Sequence, residues 1–237
     1  MYKNLEKGRS MIEMLGVLAI IGVLSVGGIA GYSKAMEKWK INKTIEQIEQ
    51  ITHGIFTAYA NQKEIDGIGG SNLMEILPNL GLITEDMWDE DALLLRFPVG
   101  NFDFIAATDG PAEGGNEEDV TYKYKYVEFI SFAVSKDACL TLATANWSQF
   151  FPVRALLIGD SSKDEVGFPD ECFVLGKFQT TSQGDMFGNH WLTVCNISEK
   201  DKSSPDYVPI PIPPKVAAEY CNCKKGDCYF GIMFSDF

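Results

Sequence analysis

MLGVLAIIGVLSVGGIAGY, residues Met14 to Tyr32, is a run of 19 residues without a charged side chain. At about 1.5 Å per helical residue it spans about 28 Å, close to the hydrocarbon thickness of one bilayer. No second run of this kind occurs in the 237 residues, so the chain is expected to cross a membrane once at most, with everything after Lys34 in water or in an assembly. The flanking charges do not orient the span. Lys3, Lys7 and Arg9 precede it and Lys34, Lys38, Lys40 and Lys43 follow it, so the positive-inside rule favours neither direction.

Glu13 stands directly before the run. A carboxylate carried toward the bilayer centre costs about 2.5–3.5 kcal/mol on insertion scales, so such a residue calls for a functional partner. Around it the sequence reads Gly8, the polar and short-chain pair Arg9-Ser10, the apolar pair Met11-Ile12, Glu13 as fifth residue after the glycine, and then MLGVLAIIGVLS. This pattern, over Lys7 to roughly Met36, resembles the class III signal of type IV prepilins and type II secretion pseudopilins. The resemblance implies that a prepilin peptidase cuts between Gly8 and Arg9 on the cytoplasmic face and methylates the new amino terminus at Arg9. Arg9 departs from the Phe or Met usual in that family. A physical role for Glu13 fits alongside: among packed identical subunits its carboxylate can be neutralised by the free α-amino group of a neighbour's Arg9, which would set axial register. Competing readings are a Glu13 that merely sits in the headgroup layer, a conventional secretory signal cut near Gly28-Ile29-Ala30, and a plain single-span anchor.

Beyond Tyr32 the pattern turns amphipathic. Ile41, Ile45, Ile48, Ile51, Ile55 and Tyr59 recur at spacings of three and four, with Phe56 beside them and Glu46, Gln47, Glu49 and Gln50 on other faces. One helix from Met11 to near Asn61 is expected, about 75 Å long at helical rise. Gly22, Gly27, Gly28 and Gly31 weaken its apolar half, each by about 0.8–1 kcal/mol relative to Ala. They read either as close-packing positions between helices or as a stretch that unwinds when the subunit leaves the bilayer. The family often has a proline here and this chain has none.

Residues 63–237 form the expected head. Ser71 to Leu80 reads as a short helix ended by Gly81. Tyr122, Tyr124 and Tyr126 alternate with lysines at the start of Thr121–Val134, the period of a half-exposed strand. Ser135 caps a helix bearing Asp137 in its first turn and Cys139, Leu142, Ala143 and Ala145 at helical spacing. That strand, the capped helix with Cys139, then Phe150, Phe151 and the apolar stretch Val153–Ile158, resemble the class b type IV pilin head over roughly Phe129 to Asp160. Further strand-like runs lie at Cys172–Gln179, His190–Ile197 and Tyr229–Phe234. The fold expected is α+β: a long N-terminal helix packed on an antiparallel sheet, with helices confined to the earlier part and a disulfide-stapled C-terminal region. Ser203–Pro214, holding five of ten prolines, reads as an extended polyproline-like connector.

All six cysteines, Cys139, Cys172, Cys195, Cys221, Cys223 and Cys228, follow the apolar run. An even count in an exported domain reads as disulfides whose connectivity is open. The spacing Cys221-x-Cys223-x4-Cys228 lacks the Cys-x2-Cys of structural zinc sites. Disulfides place the head in an oxidising compartment, and that orients the span with the amino terminus inside and the carboxyl terminus outside.

No glycine-rich phosphate loop, nucleophile elbow or His-Glu-x-x-His occurs, so an enzyme is not expected. No cofactor is expected either. The stretches Asp109–Asp119 and Asp160–Gly167 do not follow EF-hand spacing; solvated acidic loops are expected, with an irregular calcium site as the alternative. The net charge of −13, from 20 basic and 33 acidic residues, argues against nucleic acid as partner. The organisation that follows is a leader at 1–8, a membrane or filament-core helix half at 9–33, an amphipathic stem half at 34–62 and a head at 63–237. The resemblance implies a filament subunit whose partners are further copies of itself in a helical homopolymer, the prepilin peptidase and an inner-membrane assembly platform. It would reside first in the inner membrane and then in an extracellular filament. The alternatives are a pseudopilin or minor tip pilin of a secretion or pilus machine, and an anchored or secreted binding module that does not polymerise.

Overall fold

The computed structural model describes residues 11–62, 65, 68–69, 73–108, 125–147, 152–160, 182–186, 189–195, 209–223 and 227–235. Leader residues Met1–Gly8 and Arg9 lie outside them, as do Cys172, Tyr122, Tyr124, the Cys172–Gln179 run and the acidic stretches 109–119 and 161–167. The chain divides into two units, Met1–Lys40 and Ile41–Phe237.

Helix α1 (Met11–Ala58) runs unbroken through the four glycines. In the first unit its side chains are exposed almost throughout, and the Ser33 hydroxyl donates back to the Ile29 carbonyl at 3.0 Å. In the second unit the predicted stripe is present: Ile41, Ile48, Ile51, Ile55 and Phe56 are buried, Ile45 and Tyr59 partly so. Two threonines join the stripe unannounced by the apolar pattern. Thr52 is fully buried because its hydroxyl donates to the Ile48 carbonyl at 2.8 Å, so no polar group is left unmet. Thr44 is buried as well.

After β1 (Ile68–Gly69), helix α2 (Leu73–Asn79) ends in two bonds that close around a left-handed residue. Gly81, at φ 69°, donates to the Pro78 carbonyl at 2.8 Å, and Leu82 donates to the Leu77 carbonyl at 2.9 Å. This is the Schellman arrangement, for which glycine is the least strained residue. A 3-10 turn (Glu85–Met87) leads into β2 (Trp88–Asp89), β3 (Leu94–Phe97) and β4 (Gly100–Thr108). Then come β5 (Lys125–Ser135), α3 (Lys136–Thr144), β6 (Val153–Asp160), β7 (Ser182–Met186), β8 (Asn189–Cys195), α4 (Pro214–Tyr220) and β9 (Asp227–Ser235). The described strands pair antiparallel throughout in the order β2-β3-β4-β5-β9-β6-β8-β7, with β1 added on β4. The expected α+β fold is the one observed.

The core of the second unit is aromatic. Phe97, Phe102, Phe104 and Phe129 meet edge-on or tilted at centroid distances of 5.0–6.0 Å, and Trp147 lies about 6 Å from both Phe230 and Phe234. Trp147 is fully buried at no polar cost, its Nε1 donating to the Leu142 carbonyl at 2.7 Å.

Three expectations are corrected. β5 is not a half-exposed strand with tyrosines inward: Lys125 is buried and Tyr126 only partly so, and Val127 through Ser131 are all buried. Residues of both parities are buried from Val127 to Ser131, so both faces of this inner strand are covered along that stretch. Helices are not confined to the earlier part: residues 209–213, the described end of the proline-rich stretch, lead into α4, which starts with Pro214 at its first position, where a missing N–H costs nothing. Asp160 is not part of a solvated loop; it ends β6 and is buried. The cap on α3 is as expected: Ser135 Oγ accepts from the Ala138 N–H at 3.1 Å, and Cys139, Leu142 and Ala143 are buried.

Candidate functional site: the apolar half of the first helix

Among the described residues, α1 is the one helix long and apolar enough to cross a membrane, and none of the side chains in its most apolar stretch is buried. Val23 is 74% exposed, Val26 71% and Leu24 68%, and the exposure runs round every face of the helix. Withdrawing one such side chain from water gives about 1.5–3 kcal/mol, and a helix apolar on all sides is stable only in lipid or among other helices. Residues 13–32 therefore present an apolar surface that no described residue covers and that suits lipid or other helices. Glu13 lies in the first turn of this helix and is exposed. Gly8 and Arg9, its companions in the sequence reading, lie outside the described residues.

The four glycines can be judged by what surrounds them. A Cβ built on Gly22, Gly27, Gly28 or Gly31 meets nothing within 4 Å, so packing within this chain does not ask for glycine at any of them. Gly54 is the opposite case: there a Cβ would collide with Leu82, whose Cγ lies 2.9 Å away. Gly54 thus answers a packing demand within the second unit, and Gly22, Gly27, Gly28 and Gly31, like Gly16 in the same run, do not.

The far end of α1 is tied down by residues that no motif revealed. The helix has no basic residue in its last turn. Lys125, the first residue of β5, supplies the cation, its ammonium donating to the carbonyl of Tyr59 just past the helix end. On the same strand Glu128 is buried, and burial together with the nearby Asp103 pushes its carboxyl up to about 7. The register pairs Ile105 with Glu128 and Asp103 with Ile130, which sets the two carboxyls diagonally on one sheet face. Asp89 is the contrasting carboxyl: the Ala92 N–H and the Arg96 guanidinium, whose nitrogen lies 3.1 Å away, hold it below the usual range.

Four of the six cysteines are placed as disulfides. Cys139 on α3 joins Cys221 at the end of α4, with Cα atoms 5.7 Å apart, and Cys223 joins Cys228 at the start of β9, with Cα atoms 5.6 Å apart. Cys195 ends β8. Among the described residues no three His, Cys, Asp or Glu side chains converge as a metal site would require.

No family model matches the chain. It is similar to a type IV major fimbrial protein, FimA of Dichelobacter nodosus. The identity is 24% over 157 residues, covering 62% of this chain and 84% of that protein. That similarity agrees with the long N-terminal helix, the antiparallel sheet and the disulfides toward the carboxyl end.

Proposed function

We propose that the chain is the precursor of a structural subunit of an extracellular type IV pilus-like filament. A prepilin peptidase removes Met1–Gly8 and methylates Arg9, and the mature subunits polymerise through the apolar half of α1. The observation that carries the proposal is the apolar surface of residues 13–32, exposed on every side in a helix whose continuation from Ile41 packs into a folded head. Lipid can cover that surface in the precursor and the same helices of neighbours can cover it in the filament. Glu13 then pairs with the amino terminus of a neighbouring Arg9, an ion pair that is favourable because both charges would otherwise be buried alone. The relative's name, a major fimbrial protein, favours the bulk subunit over a minor tip component or pseudopilin.

The 13 basic and 28 acidic residues of 63–237, a net charge of −15, would give such a filament an acidic outer coat. The mass of the mature chain tests processing: the proposal requires loss of eight residues and gain of one methyl group, and loss of about thirty residues would assign a secretory signal instead. Glu13→Ala tests assembly: surface filaments should be lost with the subunit retained in the membrane, and normal filaments in that variant would refute the pairing.

A further inference from the structure

Two lysines follow the apolar run without a counter-ion among the described residues. Lys34 and Lys38 are exposed, stand four residues apart on one face of α1, and make no ion pair there. Like charges at that spacing repel one another. Lys43, farther along, behaves differently, being paired with Glu46 at 3.1 Å. Beside Lys34 and Lys38 two aromatic rings are left in the open, Tyr32 at 67% exposure and Trp39 at 55%. They are seven residues apart, so they share a helix face.

The spacing matches a membrane surface. Tyr32 closes the uncharged run of Met14–Tyr32. Trp39 lies about 10 Å farther along the helix, a few ångström beyond the roughly 5–8 Å that the headgroup layer adds to each leaflet, and its side chain leans back toward the helix N-terminus across that difference. Rings with a polar handle prefer this layer, and lysine stems follow the apolar surface while their ammonium groups reach the phosphates.

We infer that Tyr32, Lys34, Lys38 and Trp39 form a docking belt for anionic phospholipid headgroups. The rings set the depth of the membrane-resident subunit, and the two lysines gather phosphate around it. The inference rests on the membrane-spanning precursor proposed above. The acidic head of a second copy is also a source of negative charge, but it does not account for two exposed rings within two turns of the end of an apolar run.

The test uses the full chain in vesicles of phosphatidylcholine with or without phosphatidylglycerol. Trp39 emission is isolated as the difference between the chain and Trp39→Phe. Lipids brominated near the headgroup should quench it more than lipids brominated at the acyl ends. Brominated phosphatidylglycerol should outcompete brominated phosphatidylcholine by about fivefold per lysine, and Lys34→Gln with Lys38→Gln should bring that preference to unity with the chain still inserted. An inserted chain whose Trp39 is quenched by aqueous iodide and not by brominated lipid overturns the belt alone, as does a lipid preference unchanged by the double substitution. Protection of Trp39 that appears only at high protein concentration overturns it too, in favour of a second copy. A chain that does not enter the bilayer overturns both the belt and the span.

Discussion

Leu82 occupies the space in which a Cβ on Gly54 would stand, so the turn after α2 is seated directly against the backbone of α1. Leu82 is the residue whose N–H closes the Schellman turn on Leu77, and its position is therefore fixed by backbone bonds as well as by packing. For Gly54→Ala we expect a loss of about 1–3 kcal/mol from overpacking, reduced by the roughly 1 kcal/mol that Ala gains in a helix. Denaturant midpoints of the variant and of Gly54→Ala with Leu82→Ala measure it. The double variant should show less than the sum of the two separate losses, because the second substitution removes the collision.

The glycines of the apolar half should behave in the reverse sense. Alanine at Gly22, Gly27, Gly28 and Gly31 meets open space, so each substitution should stiffen the helix by about 0.8–1 kcal/mol with no change in the melting of the head. If these positions unwind during extraction from the bilayer, the fourfold variant will accumulate in the membrane while its filament yield falls. Unchanged filament yield would assign the glycines to no step in assembly.

Glu128 supplies a pH dependence. Its carboxyl, raised to about 7 by burial and by Asp103, binds a proton more tightly in the folded chain than in the unfolded one. Between about pH 4.5 and 7 the folded state therefore holds more protons, and stability falls as the pH rises through that window, then levels off above it. Glu128→Gln removes the buried charge. It should be more stable than the parent above pH 7, by about 3 kcal/mol at most, and no different below pH 4.5. Urea midpoints across this range decide the matter, and parallel curves for parent and variant would show that Glu128 does not titrate in this window.

The two described disulfides differ in the length of chain they close. Cys139 and Cys221 are 82 residues apart and Cys223 and Cys228 only 5. Loop entropy assigns about 4.5 kcal/mol to the first and about 2 kcal/mol to the second. Serine replacement of both members of each pair, read by guanidinium midpoints, should reproduce that order. The reverse order would mean that the short bridge acts through native structure around β9 rather than through the unfolded chain.

Lys125→Met keeps much of the stem volume and leaves the Tyr59 carbonyl without the ammonium that meets it in the native chain. A loss of about 1–3 kcal/mol is expected, with faster amide exchange in the last turn of α1 as the local signature. Uniform acceleration across the sheet would indicate that Lys125 serves the strand instead of the helix end.

Much of this architecture is legible from periodicity. The stripe from Ile41 to Ile55 is read correctly because an amphipathic helix carries its burial in every turn, and Ser135 and Gly81 declare their helix ends through side-chain capping and a left-handed φ. What is not legible depends on neighbours distant in sequence. Lys125 and Glu128, on opposite faces of β5, read as surface residues by their charge, and only packing over both faces of the strand buries them. Thr52 looks polar until its hydroxyl is satisfied within its own helix. Gly54 carries no signal at all, since its partner Leu82 is 28 positions away and reaches it through a loop. Of the candidate site, the apolar run and Glu13 are plain in the sequence. The split between the five α1 glycines that face nothing, Gly16 among them, and the one that faces Leu82 is visible only in the folded chain.

The place of β9 bears on the order of events in the cell. Its residues, Asp227–Ser235, follow every other described strand along the chain, yet they fill the gap between β5 and β6 near the middle of the sheet. Until they arrive, β5 and β6 present open edges, and Phe230 and Phe234 are missing from the aromatic core around Trp147. A chain that emerges in sequence order, from a ribosome or through a membrane, cannot complete this sheet until β9 has emerged. A chain arrested before that point presents two unfinished strand edges in place of a closed sheet.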